Sequence, residues 1–150
     1  MELKSLLVDS KTTWVEFPGL NGFEVELANL SRKELTNLRK KCTINKFNRK
    51  TRQFEDELND EKFVEEFTKA TVKNWKGLKL EYLQDLLLVD LEGQDSTKEM
   101  EFSESNAQVL VENSSEFDNW LNEVVFDLEN FRNGTEGNSN TTSGETTSES

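Results

Sequence analysis

The chain has no histidine, one cysteine and one proline among its 150 residues. Without histidine it lacks the commonest general base and the commonest imidazole metal ligand. The lone Cys42 cannot close an internal disulfide, offers no metal-site spacing, and has no imidazole to activate it as a nucleophile. No apolar run approaches the ~18 residues needed to span a bilayer. The opening "MELKSLLVDSK" carries the acidic Glu2 and no cleavage-site pattern, so it does not read as a signal peptide. Apolar residues are scarce, 33% against a net charge of -12, a balance that in the extreme gives a disordered chain. They are not diluted evenly. They cluster in periodic segments up to Phe131, and none follows. The expectation is one ordered domain over 1–132 and a disordered polar tail over 133–150, in a protein of the cytoplasm.

What the chain has in plenty is carboxylate, yet no pair stands in an apolar setting that would split two pKa values for acid–base work. Asp90–Glu101 places oxygens near several calcium-loop positions, but its glycine, Gly93, is fourth and Asp95 is sixth, where that loop needs glycine. The reading is a protein that is not an enzyme and holds no cofactor or metal.

Residues 12–28 read as a hairpin. "TTWVEF" is expected to face inward with Trp14 and Phe17, and "FEVEL" with Phe23, Val25 and Leu27. Between them "PGLNG" holds Pro18, Gly19, Asn21 and Gly22, residues that accept turn conformations. Ser31 and Glu34 then form an S-x-x-E capping box, opening a helix with Leu35 and Leu38 on one face and Arg39, Lys40 and Lys41 at its close. Over 43–57 only Ile44, Phe47 and Phe54 are large and apolar, and "NRKT" could turn a second, irregular hairpin.

From Asn59 or Asp60 the spacing of Phe63, Phe67, Ala70, Thr71 and Trp75 predicts a helix, with Gly77 as its left-handed C-terminal residue. Trp75 is then the last core residue of that helix rather than a surface aromatic. Leu80, Leu83, Leu86 and Leu87 predict a short helix, and Ser103 caps another. The last helix is expected from Ser115 to Arg132, with Phe117, Trp120, Leu121, Val124, Val125, Leu128 and Phe131 inward. The fold class expected is α+β and mainly α-helical: an N-terminal β-hairpin followed by four to five helices. Its core is expected to hold Phe63, Phe67, Trp75, Phe117, Trp120, Leu121 and Leu128.

Charge is uneven. Residues 32–52 carry Arg32, Lys33, Arg39, Lys40, Lys41, Lys46, Arg49, Lys50 and Arg52 against Glu34 alone, a net +8, so the rest of the chain carries -20. Such a block is either a contact surface for an acidic partner or a face docked on the protein's own acidic helices or left solvated. Nucleic acid is the weaker partner, because the surrounding field opposes its approach.

Three stretches together, "VEFPGLNGFEVELANLSRKELTNLRKK", "DEKFVEEFTKATVKNWKGL" and "FSESNAQVLVENSSEFDNWLNEVV", resemble the tail assembly chaperones of long-tailed, siphovirus-type bacteriophages. The matching positions are Pro18, Trp75, Gly77, Leu78, Phe102, Ser103, Phe117 and Trp120, spread over residues 12–132. The resemblance implies a small, mainly helical protein of the host cytoplasm that binds the tape measure protein during tail assembly and is left out of the virion. The tail tube protein is a second candidate partner; nucleic acid and membrane are not expected. Many members of that family are also made in a longer form by ribosomal frameshifting, and a polar C-terminus suits such a junction. The alternatives are an acidic inhibitor that mimics DNA, supported by the net charge, and a small head–tail connector component.

Overall fold

The computed structural model describes residues 1–7 and 11–132; the polar tail expected over 133–150 lies outside them. The turn chemistry of "PGLNG" folds as expected. β1 (Thr12–Glu16) and β2 (Glu24–Ala28) pair antiparallel, with Thr13 opposite Leu27 and Val15 opposite Val25. Side chains directly opposite share a face, so Thr13 and Val15 face the core with Val25 and Leu27. Trp14, expected inward, lies opposite Glu26 on the outer face, where the Lys76 ammonium stands 4.7 Å above its ring.

Ser31 starts α1 (Arg32–Cys42) with both bonds of the capping box: its hydroxyl accepts from Glu34 N–H, and Glu34 accepts from Ser31 N–H. β3 (Thr43–Asn48) and β4 (Gln53–Leu58) follow as a regular second hairpin. Asn59 caps α2 (Asp60–Thr71), its side chain accepting from Lys62 N–H.

The helix expected to reach Trp75 ends at Thr71, and Val72–Lys76 is a strand, β5, antiparallel to β2. Val25 lies opposite Trp75, Glu26 opposite Asn74, and Leu27 opposite Val72, which leaves Lys73 as the extra residue of a β-bulge. The bulge turns both Val72 and Trp75 toward the core, although they are three residues apart. Trp75 is a core residue, as expected, but on a strand. The chain closes with α3 (Leu80–Leu86), α4 (Glu104–Asn113) and α5 (Ser115–Val125). Ser103 and Ser114 cap the last two, accepting from Asn106 and Phe117 N–H.

The mainly helical reading therefore does not hold. Among the described residues the protein is a mixed fold of five α-helices and five strands in two antiparallel sheets, one of order β1-β2-β5 and one formed by β3 and β4. The core lies between the inner face of the three-stranded sheet and the helices. Aromatic rings run through it in contact: Phe102 meets Trp75, Trp75 meets Phe23, Phe23 meets Phe117, and Phe17 meets both Phe117 and Trp120, with centroids 4.9–6.4 Å apart. Phe67, Phe117, Trp120 and Leu121 are buried as expected. Phe63 is only half-buried, its ring stacked on Phe67 at the margin of the core.

Leu128, expected in the core, is 60% exposed. Its burial required an unbroken helix to Arg132, but α5 stops at Val125 and a 3-10 turn over Leu128–Phe131 restarts from Asp127, whose side chain accepts from Glu129 N–H. The break changes the helical phase, so Phe131 enters the core and Leu128 does not. The freed carbonyl of Val125 accepts from Leu30 N–H and from the Asn29 side chain, binding the end of β2 to the end of α5.

The excursion between β2 and α2 contributes little to this core. In α1, β3 and β4 Cys42 alone is buried, with Leu35 and Leu38 half-buried against the body. At the ribbon's base Asn59 N–H donates to the Cys42 carbonyl at 2.9 Å, so the chain leaves and returns at one point. Replacing residues 44–57 by Asn-Gly, a two-residue hairpin turn, is expected to change the free energy of unfolding by less than about 1 kcal/mol, because no buried side chain is lost. Urea unfolding reads this. A loss as large as that of a core truncation would show that the ribbon packs on the body.

A candidate partner-binding arm

The nine cations of the basic block do not form one patch. Arg32 and Lys33 sit in the first turn of α1, and Arg39, Lys40 and Lys41 in its last. At a rise of about 1.5 Å per residue the two groups are roughly a helix length apart. The last three complement the negative end of the helix dipole. Lys41 crosses to α2 and donates to Glu66 at 2.8 Å, which holds the Glu66 carboxyl below the usual carboxylate range. Lys46 pairs with Glu57 across the ribbon at 2.7 Å. Part of the block thus serves the protein's own structure.

Arg49, Lys50 and Arg52 are different. They occupy the four-residue loop between β3 and β4, and among the described residues no carboxylate pairs with any of them. Asn48 builds this loop: its side-chain oxygen accepts from Lys50 and Thr51 N–H, and its carbonyl accepts from Arg52 N–H at 2.7 Å. Arg52 takes a positive φ of 56° to close the turn, a conformation rare for a residue with a Cβ. Three cations are thereby gathered at the tip of a projecting ribbon.

The ribbon below the tip has two unlike faces. Pairing places Ile44, Lys46 and Asn48 with Glu57, Glu55 and Gln53 on one. There Lys46 meets Glu57, and Asn48 donates to Glu55 at 3.1 Å, so the polar groups answer one another. The other face carries Thr43 and Leu58 at the base, Asn45 bonded to Asp56 at 3.1 Å in the middle, and Phe47 opposite Phe54 next to the loop. The two rings meet edge to face at 5.2 Å and are 52% and 69% exposed. Two neighbouring exposed rings form a contiguous apolar patch, which unlike a single exposed apolar residue offers a partner something to cover.

The sequence pointed to the loop cations and missed the phenylalanines. Their signal is symmetry: Phe47 and Phe54 stand equally far from the ends of the 49–52 turn, which makes them cross-strand partners if that turn forms. By contrast, most positions that carry the resemblance are structural here. Trp75, Leu78, Phe117 and Trp120 are buried, Phe102 packs on Trp75, and Ser103 caps α4. Three of the five carboxylates of the 90–101 loop serve the backbone: Asp90 accepts from Glu92 N–H, Asp95 from Thr97 N–H, and Glu99 from Gly77 N–H. Comparison of the chain with protein-family models, with curated proteins and with solved structures gave no match. Among the described residues no helix is long and apolar enough to cross a membrane.

Proposed function

We propose that this protein is a tail assembly chaperone of a long-tailed bacteriophage: it binds the tape measure protein in the host cytoplasm during tail assembly and is absent from the mature virion. The reading rests on the resemblance carried by Pro18, Trp75, Gly77, Leu78, Phe102, Ser103, Phe117 and Trp120. The observation that best supports it is the β3–β4 arm, which holds Phe47 and Phe54 in solvent beside three cations. A long amphipathic rod made before its sheath exposes apolar stripes that drive aggregation. A small binder of net charge -12 can cover such a stripe and keep the complex soluble through its own charge. The tail tube protein is the second partner this role would bring near. The same arm argues against the DNA-mimic alternative, since a cationic, aromatic projection would spoil a surface meant to copy phosphates.

Co-expression with the tape measure protein encoded in the same phage genome is the direct test. The tape measure protein is expected to move from the insoluble to the soluble fraction and to co-purify with this chain. Equal solubility with and without it, and no co-purification, would refute the proposal and favour an acidic inhibitor.

A further inference from the structure

We propose that the aromatic face of the β3–β4 arm is a docking surface for an amphipathic α-helix whose apolar stripe is bordered by carboxylates. This rests on the proposed function only for the partner's identity, which would be a segment of the tape measure protein; the chemistry comes from the arm itself. A two-stranded ribbon is marginal in water unless a face is covered. One face of this ribbon needs no cover, because Lys46, Glu57, Asn48 and Glu55 satisfy one another there. The other holds two phenylalanine rings side by side across the strands, with the polar pair Asn45–Asp56 closed on itself beneath them. Asn45 is a neutral partner, so Asp56 keeps its negative charge below the rings, while the charges at the tip, in the loop next to them, are the three cations Arg49, Lys50 and Arg52.

That arrangement selects its ligand. The cations repel a basic segment and attract an acidic one, giving register and encounter rate more than raw affinity. The ring pair gives the affinity, as buried aromatics do at most interfaces. A paired-ring platform suits the apolar stripe of a helix, which is about 100° wide on a cylinder about 10–12 Å across. An added β-strand would instead use the ribbon's edges. The β4 edge runs through Glu55, Asp56 and Glu57, and like charges of that kind discourage strand pairing. The -20 carried by the rest of the chain opposes any acidic ligand, and it opposes a nucleic acid, with a charge at every phosphate, far more than a helix that carries a few carboxylates beside an apolar stripe.

The test uses the full-length protein and a fluorescein-labelled synthetic helix with a leucine stripe bordered by glutamates, read by fluorescence anisotropy. Its scrambled sequence and a single-stranded oligonucleotide are the comparison probes. The helix is expected to bind, with the scramble and the oligonucleotide at least about tenfold weaker. The double variant F47S/F54S and the double variant R49E/K50E should each weaken binding at least about tenfold, as loss of anchor contacts does. Both should keep the wild-type unfolding midpoint, because the four side chains are exposed. Unchanged affinity in F47S/F54S, equal binding of the scramble, or tighter binding of the oligonucleotide would overturn the inference. The outcomes separate from those of the co-expression test. Arm-dependent peptide binding without tape measure co-purification would sink the chaperone reading and leave the docking surface standing. Co-purification that F47S/F54S leaves intact would do the reverse.

Discussion

Trp75→Ala is expected to lower the free energy of unfolding by about 3–5 kcal/mol, the range for truncating a buried large aromatic. The ring is 5% exposed and joins three parts of the fold. It meets Phe102 edge to face at 5.2 Å and Phe23 at 6.3 Å, and its backbone pairs with Val25 in β2. The indole Nε1–H also donates to the Met100 carbonyl at 2.9 Å. Alanine would leave a cavity and strip that carbonyl of its donor, a second loss of about 1–3 kcal/mol where water cannot replace it. Against an ordinary stability of roughly 5–15 kcal/mol, much of the margin would go. Trp75→Phe, which keeps a ring and loses the N–H, should fall between the two. Urea unfolding followed by the fluorescence of Trp14 and Trp120 measures both variants. An unchanged midpoint for Trp75→Ala would remove Trp75 from the core. The arm lies outside this network, so the folded fraction should still bind the synthetic helix.

The elements readable in the sequence were those with local chemistry of their own. Ser31 with Glu34, Asn59 and Ser103 each satisfy backbone N–H groups within three residues, and each caps the helix expected of it. The turn between Phe17 and Phe23 closes with three backbone bonds: Phe17 N–H to the Phe23 carbonyl, Leu20 N–H to the Phe17 carbonyl, and Phe23 N–H to the Leu20 carbonyl. What depended on partners far along the chain was not readable. Val72 and Trp75 stand three apart, a helical spacing, and their true setting needs both β2 as a partner and the bulge at Lys73. Leu128 continued a good helical period, and only the break after Val125 takes it out of phase. The arm gave little pattern because it has no core face: each strand brings one phenylalanine to the same exposed side, and alternation over so few apolar residues is not visible. Its cations were conspicuous, but sequence could not divide those that serve the fold, Lys41 and Lys46, from those gathered at the tip.

Gly77→Ala is expected to be about as harmful as a core truncation, although it adds one carbon and removes nothing. The sequence pattern puts Gly77 at the end of a helix; it directly follows β5 instead, and its positive φ of 75° is demanded there all the same. That conformation alone costs an alanine about 1–2 kcal/mol. The larger effect is steric. A Cβ on Gly77 would overlap the carbonyl oxygen of Gly22 and lie 2.7 Å from its carbon, so it would strike backbone that no side-chain rotation can move. Gly22 is fixed in turn, because its N–H donates to Glu16 and the next residue, Phe23, is fully buried between Trp75 and Phe117. Gly77 is held from the other side, its N–H donating to Glu99 at 3.0 Å. Relief would have to part β5 from the β1–β2 turn, opening the core at Phe23. Gly93→Ala is the matched control: Gly93 has nearly the same φ, 79°, and no atom within 4 Å of the added carbon. Gly93→Ala should therefore cost about 1–2 kcal/mol, and Gly77→Ala about 3 kcal/mol or more once overpacking is included. Equal losses in urea unfolding would mean that the close approach of the turn to β5 carries no energy, and that the three-stranded sheet is not seated on that turn.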